Sequence, residues 1–257
     1  MDGSHPLVRF LRRRFERGVP YGLGFTLAFG LVVGAVWGFF AIVDWWTEGE
    51  ALARFDTVAH DAIYGLLGSS PRLGLVVTWF GNNTTIIGFV VVTTAALLLA
   101  RRYWAAFRVV FASGVGGLVV LGLKQVFARD RPLEQVIPAH GYSFPSGHAF
   151  ASTVFYGMMV YLVWRLTRRP WARALAAVLG PLVIVAVGLS RVYLNVHYLT
   201  DVVGGWLSGA AWLVVSLLLV DVVETRSRSR SEQNEEATRP GDADPQPHSA
   251  PDASAIR

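Results

Sequence analysis

Long apolar segments dominate this chain and constrain its fold more than any other feature. A bilayer core about 30 Å thick is crossed by roughly 20 helical residues. In lipid every backbone amide and carbonyl has to be satisfied internally, and a helix achieves this within a single segment. The sequence therefore predicts an all-α integral membrane protein with six transmembrane helices, at residues 19–43, 73–100, 103–123, 149–164, 174–189 and 202–220.

Basic residues are distributed unevenly between the gaps that separate these segments. If the N-terminus is cytoplasmic, 15 basic residues lie near the cytoplasmic side and six near the opposite side. Because cytoplasmic loops carry an excess of Lys and Arg, this bias predicts that both termini are cytoplasmic in a plasma-membrane protein. The arginines are not gathered on one soluble domain, so the net charge of +5 does not indicate a nucleic-acid partner.

The segment between the first two spans has a helical pattern of its own. Residues 51–67 place Leu52 and Ile63 on an apolar face, whereas Asp56 and Asp61 belong to a polar face. Such a pattern is typical of an amphipathic helix that lies on a membrane surface. We therefore expect an interfacial helix here, with its charged side chains in water.

Composition divides the chain into three parts. A basic cytoplasmic N-terminus precedes the first span, and a polar segment that is almost free of apolar residues follows the last one. Segments of that kind cannot bury enough apolar surface to fold alone. We predict an N-terminal segment at 1–18, a six-helix membrane domain at 19–223 and a disordered cytoplasmic tail at 224–257.

Three short stretches place ionisable side chains beside the ends of the apolar segments. Charged groups at such positions are costly and mark functional sites by default. Because both termini are predicted on the same side, all three stretches fall on the opposite, outer face. They are residues 124–132 (KQVFARDRP), 145–148 (PSGH) and 190–201 (SRVYLNVHYLTD).

The cations in these stretches suit a phosphate group, whose transfer spreads charge over three equatorial oxygens. Lys124 and Arg131 are about two helical turns apart. They share a face if the helix runs that far, and Pro132 then ends it. Together with Arg191 they can bind phosphate without a metal ion, since no acidic cluster looks able to hold one. Arg129 lies outside the pattern and is expected at lipid headgroups.

Histidines and a carboxylate complete the candidate site. Ser146 suits the N-cap of the fourth span, and Gly147 permits a close backbone approach, so this helix start can offer N–H groups to phosphate. His148 follows at the mouth of the site and can protonate a leaving oxygen. His197 and Asp201 are four residues apart, which places them on one helical face. That spacing alone also fits a purely structural pair.

Taken together, the three stretches resemble the signature of the type 2 phosphatidic acid phosphatase and haloperoxidase superfamily. The signature reads Lys-x6-Arg-Pro, Pro-Ser-Gly-His and Ser-Arg-x5-His-x3-Asp, and every fixed position is present in order. The resemblance implies His197 as nucleophile, Asp201 as the residue that orients it and His148 as general acid and then base. It also implies that no cofactor is used and that phosphate is bound by Lys124, Arg131, Ser146, Gly147, Ser190 and Arg191.

The resemblance further implies a membrane lipid phosphatase that acts at the extracytoplasmic face through a phosphohistidine. The expected substrate is a lipid phosphate or diphosphate of the undecaprenyl diphosphate, phosphatidylglycerophosphate or phosphatidate class, and recycling of undecaprenyl diphosphate is the favoured role. Two alternatives would use the same residues: a lipid phosphotransferase, or a catalytically silent lipid-phosphate binder or transporter. The pattern does not fix the oligomeric state.

The charge bias makes a direct prediction about topology. Reporter fusions or accessibility labelling at Ala139, in the loop after the third span, and at Ala250, in the tail, should report opposite sides of the membrane. Labelling of both positions from the same side would contradict the six-span arrangement.

Overall fold

A computed structural model of the chain describes residues 23–47, 49–68 and 70–238. The predicted basic N-terminus and the end of the predicted tail, from residue 239, lie outside the described residues. Within the described ranges the chain is helical and contains no strand. The helices are α1 (Leu23–Thr47), α2 (Glu50–Leu67), α3 (Arg72–Trp79), α4 (Asn83–Leu99), α5 (Tyr103–Phe127), α6 (Gly147–Leu166), α7 (Pro170–Tyr193) and α8 (Leu199–Thr238).

Six helical segments are long and apolar enough to cross a bilayer, which agrees with the predicted all-α, multi-pass membrane fold. Helices α3 and α4 together make the second of these segments. Each of the six overlaps one of the predicted spans. The location of the termini stays a prediction.

The second span is interrupted between α3 and α4, where the sequence places adjacent polar residues. Asn82 caps α4 by accepting a hydrogen bond from the Thr84 backbone N–H at 3.3 Å. A Cβ atom added to Gly81 in this turn would lie 2.3 Å from Val187 Cγ1 and 3.3 Å from His148 Cδ2. The turn therefore packs directly against α7 and against the start of α6.

Helix α2 forms where the amphipathic helix was predicted, and its contact with a membrane surface stays a prediction. Phe55 and Leu66 are exposed and Leu52 is buried. The predicted solvation of Asp56 is wrong, because this side chain is only 2 % exposed. Residues 52, 56 and 63 are spaced by one or two helical turns and share a stripe, and this stripe faces the protein.

Helices α5, α6 and α8 build the main core, in which the Trp212 indole donates a hydrogen bond to the Ala112 carbonyl at 2.8 Å. The described residues up to Leu219 form one compact unit, and those from Val220 form a second. The buried core side chains are Ala105, Val109, Ala112, Val120, Phe150, Val154, Met158 and Leu162.

Helix α8 continues beyond the point where the composition predicted disorder. Residues 224–238 are helical, so the predicted disorder is wrong for this part of the tail. Elongating an existing helix avoids the cost of nucleating a new one, and Arg228 pairs with Glu224 one turn earlier.

Helix α5 ends earlier than the first motif suggested. Ala128 adopts a left-handed conformation with φ 44°, and its N–H caps the helix on the Lys124 carbonyl at 3.0 Å. The condition for a helical face shared by Lys124 and Arg131, a helix that reaches Arg131, is therefore not met. Arg131 and Pro132 lie in the loop that joins α5 to α6.

The close contact between α8 and the start of α6 predicts how a substitution at Gly205 changes thermal stability. A Cβ atom added to Gly205 of α8 would lie 2.6 Å from the Ser146 carbonyl oxygen and 2.9 Å from Ala149 Cβ. We expect Gly205→Ala to lower the thermal unfolding midpoint in detergent. Overpacking costs about 1–3 kcal/mol, whereas alanine gains only about 1 kcal/mol in helix propensity.

The matched control is Gly88→Ala in α4, where an added Cβ meets nothing within 4 Å. This variant should keep or raise the midpoint. Equal midpoints for the two variants would contradict the close crossing.

Candidate active site

The three motifs converge at one end of the helix bundle. Lys124 lies in the last turn of α5, Ser146 caps α6 and Arg191 lies in the last turn of α7. Asp201 lies in the first turn of α8, and His197 precedes that helix instead of lying on its face as predicted. The Ser146 backbone N–H donates to the Asp201 carbonyl at 2.9 Å, which joins the second motif to the third.

His197 contacts both a carboxylate and a cation. Its Nδ1 lies 3.4 Å from Asp201 Oδ2, and its Nε2 lies 3.2 Å from Arg131 Nη1. A guanidinium can only donate, so in the neutral ring Nε2 is the acceptor and Nδ1 carries the proton toward Asp201.

Burial also controls the charge of this histidine. His197 is 3 % exposed. Burial, reinforced by the charges of Arg131, Lys124 and Arg191, holds the pKa of His197 well below its usual range. The ring is therefore neutral, with an accepting lone pair on Nε2, which is the form that a nucleophile needs.

Backbone carbonyls hold two of the cations in place. Lys124 Nζ donates to the Tyr142 carbonyl at 2.5 Å. Arg131 donates from Nε to the Gly141 carbonyl at 2.8 Å and from Nη1 to the Val196 carbonyl at 2.7 Å. These acceptors orient both side chains without neutralising them, so their positive charge remains available to an anion.

Arg191 is held by a residue that the motifs did not include. It is 5 % exposed, and its Nη1 donates to the Thr78 hydroxyl of α3 at 2.6 Å. Its Nε is buried and has no hydrogen-bond partner within the described part of the chain. Leaving a buried donor unsatisfied costs free energy, and an anionic oxygen beside Arg191 would remove that cost.

The start of α6 has the geometry that the Pro-Ser-Gly-His motif predicted. Ser146 Oγ accepts from the Ala149 N–H at 3.5 Å, which confirms the predicted N-cap. A Cβ atom added to Gly147 would lie 3.7 Å from Lys124 Cε, so the lysine side chain passes close to the helix start. Free backbone N–H groups and the positive end of the helix dipole attract anions at such a position.

Ser190 differs from the prediction that it contacts phosphate. Its hydroxyl donates to the Val187 carbonyl at 2.6 Å within α7. It also lines a separate, mainly apolar crevice with Gly74 and Tyr193. Its proton is therefore already committed to the helix backbone, because a serine in a helix can bond a carbonyl one turn earlier.

The sequence motifs did not identify two buried charged residues, Arg129 and Asp56. Arg129 was expected at lipid headgroups, which is wrong: it is 7 % exposed and pairs with Asp201 at 2.7 Å and with Asp56 at 2.9 Å. The sequence feature that indicates burial of Asp56 is its spacing, because Asp56 follows Leu52 by one helical turn on the buried stripe of α2.

An apolar cavity of about 350 Å³ adjoins the site between α4, α5 and α6. Lys124 and Gly147 line one end of it. Ser113, also in the lining, lies about 16 Å from Lys124 along the axis of α5. The space beside Gly114 and Gly117 is open, since an added Cβ at either position meets nothing within 4 Å. The remaining lining residues are Asn83, Ile86, Ile87, Val120, Leu121, Phe150, Ala151 and Val154.

Two curated proteins are similar to this chain in sequence. The chain is 32 % identical over 111 residues to phosphatidylglycerophosphatase B of Bacillus subtilis and 36 % identical over 124 residues to an undecaprenyl-diphosphatase of Sulfolobus acidocaldarius. The alignments cover 42 % and 45 % of this chain and 55 % and 54 % of those proteins. The chain thus spans about half the length of the curated relatives that it matches.

A solved structure and a family model extend the comparison. The crystal structure of a transmembrane PAP2-type phosphatidylglycerolphosphate phosphatase from Bacillus subtilis matches with a TM-score of 0.66 and 26 % identity, over 76 % of this chain and 96 % of that one. The model of the PAP2 superfamily matches residues 105–224, which contain all three motifs. The family expected from the motifs is therefore confirmed, and residues 105–224 of this chain belong to the PAP2 superfamily.

Proposed function

We propose that the chain is a membrane lipid phosphatase that hydrolyses a lipid phosphate or diphosphate. The observation that carries this proposal is that a cluster of buried and half-buried cations and an apolar cavity meet at Lys124. A lipid phosphate has the matching parts, an anionic headgroup joined to an apolar tail. The names of the relatives, phosphatidylglycerophosphatase B and undecaprenyl-diphosphatase, support the same class of substrate.

Phosphate binding would use contacts that the protein already orients. The phosphoryl oxygens replace the carbonyls that Lys124 and Arg131 now contact, and one oxygen satisfies the buried Nε of Arg191. As Arg131 turns toward the phosphate, the lone pair of His197 Nε2 is released from its 3.2 Å contact. Binding thereby uncovers the nucleophile.

The first chemical step transfers the phosphoryl group to the protein. His197 Nε2 forms a bond to phosphorus, and the bond between phosphorus and the leaving oxygen breaks. The negative charge of the bound phosphate offsets the nearby cations and lets His148 hold a proton, which His148 gives to that leaving oxygen. Asp201 accepts the Nδ1–H of His197 and stabilises the positive charge that develops on the ring.

The second step returns the protein to its starting state. Water attacks the phosphorus of phosphohistidine while His148 takes a proton from it, and the bond between phosphorus and Nε2 breaks. The charges of Lys124, Arg131 and Arg191 stabilise the inorganic phosphate until it leaves the site. Neither step requires a metal ion, because Lys124, Arg131 and Arg191 supply the positive charge that phosphoryl transfer needs.

The proposed orientation places this chemistry at the extracytoplasmic face of the plasma membrane. Its support is the excess of basic residues, 15 against six, on the side opposite the motifs. Substrates delivered in the outer leaflet would then reach the site through the apolar cavity. Undecaprenyl diphosphate, phosphatidylglycerophosphate and phosphatidate all fit this description.

The cavity provides a test that distinguishes a lipid phosphatase from a phosphatase that does not recognise the lipid tail. We expect Gly117→Leu to lower kcat/KM for a long-chain lipid phosphate by about tenfold or more, because the new side chain fills the space for the tail. Activity on a short-chain analogue should fall much less. The measurement is phosphate release by reconstituted protein with both substrates, in the presence and absence of a chelator.

Gly122→Leu is the matched control, since Gly122 lies on the same helix, is exposed and does not line the cavity. It should leave both activities intact, and His197→Ala should abolish both. Equal losses on long and short substrates in Gly117→Leu would argue against the cavity as the tail site. Release of phosphate only to an added acceptor alcohol would identify a phosphotransferase instead.

A further inference from the structure

We propose that Asp56 is a positioning residue for the nucleophile His197, acting through Arg129 and Asp201. Asp56 lies on α2, outside all three motifs and outside the residues that match the PAP2 model. The inference rests on the proposed function, because it gives Asp56 a part in the attack by His197.

A continuous set of buried polar contacts joins Asp56 to His197. Asp56 Oδ2 accepts from Arg129 Nη2 at 2.9 Å. The other terminal nitrogen of Arg129, Nη1, donates to Asp201 Oδ1 at 2.7 Å and to the Thr200 hydroxyl at 2.8 Å. The second oxygen of Asp201 faces His197 Nδ1 at 3.4 Å. Each carboxylate therefore binds one side of the same guanidinium.

Asp56 also fixes the start of the helix that carries Asp201. Its Oδ1 accepts from the Thr200 backbone N–H at 3.0 Å, and its Oδ2 accepts from the Thr200 hydroxyl at 2.7 Å. The first N–H groups of a helix have no partner within that helix. A carboxylate from α2 supplies one here, and this sets the position of the residue that follows Thr200.

Charge sharing gives Asp56 a chemical effect on the nucleophile. Arg129 carries one positive charge between two carboxylates, so the set Asp56, Arg129 and Asp201 keeps a net negative charge. Without the charge of Asp56, Arg129 would neutralise Asp201 alone. Asp201 would then stabilise the developing positive charge on His197 less strongly, and phosphoryl transfer would slow.

The surroundings of Arg129 strengthen these interactions. Its guanidinium lies over the Tyr198 ring, 4.2 Å from the ring centre, and 5.7 Å from the centre of the Trp46 ring. Asp56 and Asp201 are 2 % and 0 % exposed. Because water is excluded, charge at Asp56 acts on Asp201 with less screening than at a surface.

Kinetics of Asp56→Asn in the full-length protein test this role. Asparagine keeps an oxygen that can accept from the Thr200 N–H and removes the charge. We expect kcat for phosphate release from a lipid phosphate to fall about tenfold or more with KM little changed. The thermal midpoint should fall as well, because the asparagine NH2 group leaves Arg129 Nη2 without its acceptor. The rate of phosphoenzyme formation in a rapid quench should fall by the same factor.

Asp61→Asn is the matched control, because it makes the same change at an exposed position of the same helix. Its kcat should equal that of the wild type. An unchanged kcat in folded Asp56→Asn would overturn the proposal, as would a raised KM with unchanged kcat, which would place the effect on substrate binding.

A second pair of variants covers the case in which Asp56→Asn does not fold. Thr200→Val removes the hydroxyl that contacts both Asp56 and Arg129 beside their direct ion pair, and Thr200→Ser keeps it. We expect Thr200→Val to lower kcat and Thr200→Ser to keep most of the wild-type kcat. Equal kcat values for the two variants would overturn the proposal. A wild-type protein that releases no phosphate would overturn the proposed function, whereas normal wild-type turnover with an unchanged Asp56→Asn overturns this inference alone.

Discussion

Four positively charged side chains lie close together at one end of an apolar helix bundle, and much of the surrounding structure compensates for their repulsion. Carbonyls of the loop after α5 hold Lys124 and Arg131, the Thr78 hydroxyl holds Arg191, and two carboxylates hold Arg129. Buried cations are costly unless they are paired or hydrogen-bonded. The compensating groups come from α2, α3, α8 and the loop, so the charges tie these elements together.

Different kinds of compensation give the cations different properties. Arg129 is neutralised by carboxylates and supports Asp201, so it belongs to the framework of the site. Lys124 and Arg131 are bound by neutral oxygens and keep their charge for an anion. Arg191 keeps a buried Nε–H for which no partner exists within the described residues. One cluster of like charges therefore contains both a support for Asp201 and the proposed phosphate-binding surface.

Glycines decide where helices touch and where they leave space. Gly205 and Gly81 permit contacts at which a Cβ atom would come within 2.6 Å or less of a neighbouring atom. Gly114 and Gly117 instead border the open cavity beside Lys124. Tight crossings fix the positions of His148 and Asp201, while the open cavity leaves room for an apolar tail next to them.

The sequence predicted the features that depend on local pattern or on a complete motif. Apolar length predicted six spans. The motifs predicted that the stretches holding Lys124, His148 and His197 come together, whereas the roles of these residues stay a prediction. The burial of Asp56 and Arg129 was missed because the two residues are 73 positions apart and pair only through the tertiary fold. The early end of α5 depends on a left-handed Ala128, a conformation that alanine rarely adopts and that its identity does not signal.

Rapid-quench trapping can detect the phosphoryl group that we propose His197 carries during turnover. Wild-type protein mixed with a lipid phosphate labelled in the transferred phosphoryl group should carry acid-labile label on a histidine during turnover. The His197→Ala protein should carry none, although the cations can still bind the substrate. Label of equal amount on the His197→Ala protein would contradict the account and assign the nucleophile to another residue.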